Sequence, residues 1–499
     1  MRATHMGIYM KKIISSLLLT ILVLSMLFSV MSCTKINGNK DTTVPSTTET
    51  PDTSLPTDSN GYLLDNLPND LNFNSTYTIL GWKTSRDEFY VEKTTGDTIN
   101  DAIFNRNAAV ESRLGVTLEY NIIDGDNSKQ TEFVQAAVTS IKSSAGAYDS
   151  IGCYSMCGGT LATQGAILNL LEQDYLDFDM PWWSESMVDL STINGKMYFA
   201  SGDISDEFLY NLMFLIFNTQ MIDDLNLNDP RNMTLDGTWT LDELFSMSAG
   251  AYSNLDSDPS KSMGDQFGLI IPNQVHIDAF FSGCGLRISE PNTENLIQLS
   301  DDFTGDKTYD LIVDLCKFLY VSNDAAYYTN GFSIINEGRT LFASVQGSTL
   351  TTMRDIDWEY GIVPYPKADT SQDNYYTNLG FAYTNHCIPN DAKNPAMSAA
   401  VIECLASEAY RKTSPAIFDT TFKYKYSNNP LDAQMFDIIK SNIFIDSARI
   451  FSSSFVWAQS PVSLFRSCIM NNNTSWASTI SGQKDYINNI FKTISENLG

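Results

Sequence analysis

YTILGW at residues 77–82, an amphipathic stretch closed by Gly115, and VTLEYNI at residues 116–122 together decide the fold. The first segment is rich in β-branched and aromatic residues and predicts a strand. Ile99, Ile103, Val110 and Leu114 then recur at helical spacing, and Gly115 offers the stop. Val116, Leu118, Tyr120 and Ile122 alternate as a second strand. Phe133 to Ile141 repeats the helical pattern, and YDSIGCY from Tyr148 returns to strand. This β-α-β-α-β order predicts an α/β architecture with parallel strands joined by crossover helices.

Downstream, FLYNLMFLIFN at residues 208–218 is a long apolar run, expected as a strand crossing into a second lobe. Thr240 and Glu243 form a T-x-x-E capping box that opens a helix through Leu241, Leu244 and Phe245. FGLII at residues 267–271 predicts a strand; Tyr309, Ile312, Leu315 and Leu319 predict a helix; EYGIVPYP at residues 359–366 predicts another strand. Asn394 and Pro395 open a helix carrying Met397, Val401 and Leu405. A last helix bears Tyr486, Ile490, Phe491 and Ile494. No fixed-period repeat is present, which disfavours a solenoid.

Upstream, Lys11 and Lys12 precede an apolar run from Ile13 to Val30 that ends in Val30, Met31, Ser32 and Cys33. This reads as an export signal, the alternative being an uncleaved anchor, since about 18 apolar residues nearly span a bilayer. Met10 offers a second start, which makes residues 1–9 an extension. The tetrad ending in Cys33 resembles a bacterial lipobox, which implies acylation of Cys33 and a stable tether to the membrane. Residues 34–60 are rich in Thr, Ser, Pro and Asp and predict a flexible leash or plain spacer.

A chain of 499 residues exceeds what one core organises, so two lobes are expected. Its net charge of -28 leaves no electrostatic footprint for nucleic acid. The seven cysteines after Cys33 are an odd count, against a full disulfide framework. Cys153 and Cys157 could pair or bind metal, but with no neighbouring His they read as buried free thiols.

The order of segments resembles the extracellular solute-binding proteins of carbohydrate ABC transporters, the broad maltose-binding-protein-like family. It is carried by YTILGW; by YDSIGCY with GGTLATQGAILNL; by PWWSESMVDLSTINGKMYFASGD; and by GTWTLDEL, QFGLI, NEGRTLFASVQG and YGIVPYPK. The resemblance implies a two-lobed periplasmic-binding-protein-like fold of type II with the ligand cleft between lobes. It assigns residues 1–32 to the export signal, 33–60 to lipidated cysteine and linker, and 61–217 with 378–425 to lobe 1. Lobe 2 takes 218–377 and 426–499. The implied partners are a small-molecule ligand of carbohydrate class, an ABC permease and, through the lipid anchor, a membrane. A monomer without cofactor or metal, facing outside the cytoplasm, completes the expectation.

Sugars present apolar CH faces and a ring of hydroxyls, so their sites need flat aromatics flanked by amides and carboxylates. In open α/β sheets ligands bind beyond the carboxyl ends of strands. That rule nominates Trp82 and Lys83, Tyr154 and Ser155, and Asn273, Gln274 and His276. The resemblance adds Tyr210 and Asn211 on the crossover, Gln346 to Ser348, and Trp457 within SSSFVWAQSP. Core packing is the competing role for Trp82, Tyr154, His276 and Trp457. It is the expected role for Trp182, Trp183 and Trp239, while Arg354 and Asp355 read as a surface or hinge pair. Three histidines in the whole chain leave little for catalytic triads or metal sites, and no H-E-x-x-H, G-x-S-x-G or Walker loop occurs. A glycosidase, needing only two carboxylates, is the enzyme alternative. A same-fold receptor for peptides or for a sensor partner is the other alternative.

Overall fold

The computed structural model describes residues 56–294, 296–353, 355–422 and 429–499, the side chain of Arg86 excepted. The export signal, Cys33, most of the leash and Arg354 lie outside the described residues. Among the described residues no helix is long and apolar enough to cross a membrane.

Thirteen strands follow in chain order among the described residues. The first three are β1 (Ser75–Trp82), β2 (Val116–Ile123) and β3 (Ser150–Tyr154). Then come β4 (Met213–Asn218), β5 (Phe267–Ile271), β6 (Ser289–Pro291), β7 (Ile297–Leu299), β8 (Ala325–Tyr327) and β9 (Thr340–Gln346). The series ends with β10 (Tyr360–Val363), β11 (Thr377–Asn378), β12 (Thr384–Cys387) and β13 (Ile443–Phe444). Lobe 1 is built on the sheet β12-β3-β1-β2 and lobe 2 on β10-β4-β9-β5-β8.

The two sheets share one plan. In lobe 1, β2, β1 and β3 run parallel and β12, arriving from the far lobe, lies antiparallel beside β3. In lobe 2, β8, β5 and β9 run parallel, and β4, arriving from lobe 1, lies antiparallel beside β9. Each lobe therefore takes its fourth strand from a crossover. β11 pairs parallel with β13 in a small two-stranded sheet.

Local chemistry explains the elements. Asp97 caps the helix Thr98–Leu114 by accepting from the amides of Ile99 and Asn100. Ile103, Val110 and Leu114 are buried, and Gly115 ends the helix at φ 61°, where a Cβ would meet the Asn72 side chain at 2.0 Å. Thr240 caps Leu241–Ser248 and Asn394 caps Pro395–Arg411, as the motifs predict. The latter helix packs on Thr98–Leu114 in lobe 1, and Pro430–Ser441 packs on β10 in lobe 2. The C-terminal helix Lys484–Leu498 rests on β7 and on the lobe 1 helix Ser155–Thr163.

One expectation is corrected. FLYNLMFLIFN is a strand only from Met213; Phe208 to Tyr210 close a short helix, Asp206–Tyr210. Asp206 and Glu207 favour its first turn, and the Asn211 side chain donates back to the Glu207 carbonyl at 2.9 Å, ending it. Trp182, Trp183 and Trp239 are buried, the packing role expected of them.

Candidate ligand-binding cleft

The carboxyl ends of β1 and β3 in lobe 1, and of β5 and β9 in lobe 2, bring Trp82, Tyr154, Ile271 and Gln346 to the ends of their sheets. Two crossovers meet there. Gln346 Nε2 donates to Asn211 Oδ1 at 3.3 Å, and the Gly380 amide donates to the Asn211 carbonyl at 2.8 Å. Asn211 Nδ2 donates to the Ala382 carbonyl at 3.0 Å, so this buried amide ties three segments. A Cβ at Gly380 would stand 2.5 Å from Gln346 Nε2 and 2.7 Å from Asn211 Oδ1, so any larger residue there must displace these side-chain amides.

The residues nominated by sequence divide into two groups. Lys83, facing Asp124 at 3.4 Å, is exposed, and so are Asn273 and Ser348; Tyr210 and Gln346 are half-buried. Trp457 is 43% exposed, next to the more open Val456, and presents the flat aromatic surface expected of a sugar platform. Four others are buried, which for Trp82, Tyr154 and His276 is the core-packing role weighed against ligand contact. Trp82 donates its indole N–H to Thr384 Oγ1 at 2.7 Å and meets Tyr154 edge to face at 5.4 Å, both being buried. Ser155 donates to the Phe381 carbonyl at 2.5 Å. His276 pairs its Nδ1 with Ser344 Oγ at 2.6 Å, and burial, with Arg466 nearby, pulls its pKa down to about 3, so it is neutral. Tightly packed strand ends at the crossovers leave these four no opening.

Two groups escaped sequence reasoning. The first surrounds Asp278, which receives Arg466 Nε at 2.7 Å and Nη2 at 2.6 Å, together with Arg449 Nη1. Burial works to raise this carboxyl, and the two guanidiniums overcome it and hold it below the usual range. Arg449 lies over the Phe381 ring at 4.2 Å; Arg466 lies between Phe381, at 5.8 Å, and Trp457, at 5.6 Å. The exposed platform thus rests on a buried cation. These partners are 171 and 188 residues apart, a separation no local pattern reports.

The second group is Glu88, Asp206 and Glu207 at the root of the first crossover. Burial raises Glu88 to about 8, helped by Glu207; burial raises Asp206 to about 6; burial with Asp206 raises Glu207 to about 7. Two adjacent acids directly before the apolar run at residues 208–218 were the available signal.

A cavity of about 1160 Å³ is lined by other residues, among them Trp183, Ser184, Asp203, Arg287, Tyr376 and Phe444. None of the nominated residues lines it. Among the described residues, buried polar side-chain atoms without a hydrogen-bond partner occur at Asp206 (both oxygens), Ser85 and His386 and at four further atoms, none in this lining.

All seven cysteines in the described part are buried free thiols, and burial pushes Cys157 and Cys404 up to about 12. Among the described residues no three His, Cys, Asp or Glu side chains come together to hold a metal ion.

Two lobes that exchange strands through crossovers define a two-lobed periplasmic-binding-protein fold of type II. Solved structures agree with that class. A cyclo/maltodextrin-binding protein complexed with maltotetraose is 13% identical, with a TM-score of 0.54 over 84% of this chain and 97% of its own. An ABC substrate-binding protein from Listeria monocytogenes in complex with cycloalternan is 12% identical, with a TM-score of 0.52 over 84% and 99%. The maltose/maltodextrin-binding domain from Bdellovibrio bacteriovorus bound to maltotriose is 13% identical, with a TM-score of 0.50 over 82% and 99%. These neighbours are binding proteins, and the likeness is one of fold. No protein-family model and no curated protein matches the sequence.

Proposed function

We propose that this chain is a solute receptor that captures a sugar or oligosaccharide between its lobes and delivers it to an ABC importer. The observation that carries this reading is Trp457, an exposed aromatic face backed by Arg466 and Phe381 where the crossovers bring both lobes together. In this reading Lys83 from lobe 1 and Asn273, Gln346 and Ser348 from lobe 2 are the hydrogen-bonding groups offered to the solute. Tyr210 and Asn211 form its floor, and Trp82, Tyr154, Ser155 and His276 stiffen the walls behind. Closure follows if a ligand bridging both faces binds the closed arrangement more tightly than the open one. An acylated Cys33 would hold the receptor at the outer face of the membrane, within reach of its permease. The neighbours bind maltotetraose, cycloalternan and maltotriose, which makes a glucose oligosaccharide the first class to try.

The test is a thermal-shift series with maltotriose, maltotetraose and cycloalternan, with amino acids and short peptides as controls. Saturable stabilisation by a saccharide is expected, as for anything that binds only the native state. Its loss in Trp457→Ala, with the fold intact, locates the cleft. Stabilisation by peptides alone would overturn the sugar assignment while leaving the fold standing.

A further inference from the structure

The cavity of about 1160 Å³ shares no lining residue with the Trp457 face and has a chemistry of its own. Sites for small solutes enclose about 300–1,000 Å³, so a molecule of oligosaccharide size has room here. Both lobes contribute to the lining. Trp182 and Trp183 are tied to lobe 1, each donating its indole N–H at 3.0 Å to Glu403 in the helix Pro395–Arg411. Lys440 to Phe444 run from the end of the helix Pro430–Ser441, which packs on β10 in lobe 2, into β13.

Unmet hydrogen-bonding capacity gathers in this lining. Among the described residues, the half-buried Arg287 side chain makes no ion pair and no hydrogen bond; its guanidinium lies over the Phe444 ring, 4.7 Å from the centroid. Every other arginine with a described side chain bonds an oxygen. In a chain with 59 acidic residues against 31 basic ones, a guanidinium left without a carboxylate is the exception. Asp203, 7% exposed, accepts from Ser414 Oγ at 2.6 Å and from Lys440 Nζ at 3.3 Å through Oδ1 alone, which leaves Oδ2 without a donor among the described residues. Asn442 directs its Nδ2 to the Ile438 carbonyl and Ser441 Oγ, leaving Oδ1 open. Tyr376, half-buried with its ring 5.4 Å from that of Phe444, keeps its hydroxyl unbonded among the described residues. None of these atoms is sealed from solvent.

The balance of charge selects the occupant. The lining holds five carboxylates against Arg287 and Lys440, so an anion is repelled. A cation would leave the Arg287 donors without an acceptor, and an apolar molecule would strand all four groups. A neutral polyhydroxylated molecule meets both needs: its hydroxyls donate to Asp203 and Asn442 and accept from Arg287, while its CH faces lie against the aromatic lining. We propose that this cavity is a second solute site, for a neutral saccharide, separate from the Trp457 face. The class follows from the cavity's own donors and acceptors and does not rest on the role given to Trp457.

Calorimetric titration of the purified full-length protein with maltotriose tests the site, with citrate and spermidine as the anionic and cationic controls. Two saturable equivalents per chain are expected. Trp457→Ala should keep one of them, and Arg287→Met, which retains an apolar stem on Phe444, should abolish that one. Tyr376→Phe removes a single hydroxyl and should weaken it by roughly 2- to 10-fold, one hydrogen bond's worth, and it decides alone if Arg287→Met does not fold. Amide exchange at residues 440–444 of Trp457→Ala should slow when maltotriose is added. A single equivalent that Trp457→Ala abolishes, or a second one that neither Arg287→Met nor Tyr376→Phe affects, overturns the second site and leaves the first. A single equivalent that Arg287→Met abolishes and Trp457→Ala spares keeps the cavity and overturns the role of Trp457. Wild type that takes up no maltotriose, or that binds citrate or spermidine through Arg287 instead, overturns the saccharide class of the cavity.

Discussion

Asp278 and Glu88 are both buried carboxyls beside the hinge, and they have opposite fates. Asp278 meets two guanidiniums and stays ionised; Glu88 meets hydroxyls, an amide and two further acids, and holds its proton into the neutral range. Burial alone pushes both upward, so the sign is decided by company rather than by depth. The two centres also differ in what they can do. An ion pair shared by two arginines is a fixed joint, whereas a proton-holding cluster can change state within the range of pH outside a cell.

The largest effect should come from breaking the fixed joint. Asp278→Asn leaves Arg449 and Arg466 buried without their counter-ion, and removing one partner of a buried pair costs about 3–5 kcal/mol. Urea unfolding at pH 7 measures it. Because folding lowers the Asp278 pKa, its contribution is present above the unfolded value and is lost as pH falls through the folded one. Wild type and variant should therefore converge in acid. A loss below about 1 kcal/mol at pH 7 would mean that charge is not what fixes this joint.

Gly380→Ala attacks the point where the two centres meet. The added methyl would stand 2.5 Å from Gln346 Nε2 and 2.7 Å from Asn211 Oδ1, so the hinge amides must part. The expected cost is about 1–3 kcal/mol in thermal unfolding, the range for overpacking a filled site. An unchanged transition would show that the amide pair is dispensable.

How much of this was legible beforehand follows the range of the interactions. Helical spacing with Gly115, strand alternation at Val116–Ile122 and the caps at Thr240 and Asn394 are local signals, and each element stands where its pattern predicts. The lobe plan follows from element order, because parallel strands require crossovers. The cleft was legible only as a list of loop positions. Burial depends on what arrives from elsewhere: Thr384 seals Trp82 from 302 residues away, and Phe381 caps Ser155 from 226. The arginines beneath Trp457 carry no motif, since Arg449 and Arg466 acquire their meaning only when Asp278 is brought between them.

Glu403→Gln sharpens the contrast from a third position. This buried carboxyl accepts the indole N–H of Trp182 and of Trp183, each at 3.0 Å, and burial raises it to about 8 despite those donors. The amide can satisfy only one indole, so at pH 6 the variant should be weaker by about 1 kcal/mol, one hydrogen bond's net worth. As pH rises past about 8 the wild type carries an uncompensated charge and the variant does not, so the gap should close or invert. Unfolding midpoints at pH 6 and 9 decide this, and a gap that widens with pH would contradict the assignment.

Trp457→Ala is expected to move stability least and binding most. The ring is 43% exposed, so its removal forfeits little buried area, and its cation–π contact with Arg466 is worth about 0.5–1 kcal/mol at an accessible site. Arg466 keeps both bonds to Asp278 and its neighbour Phe381, so the support should survive without the platform. A shift of under about 1 kcal/mol in unfolding, together with loss of saccharide stabilisation, would separate the surface that meets solute from the joint beneath it. A large loss of stability would instead place Trp457 in the joint itself, and the distinction between a fixed centre and an exposed platform would have to be redrawn.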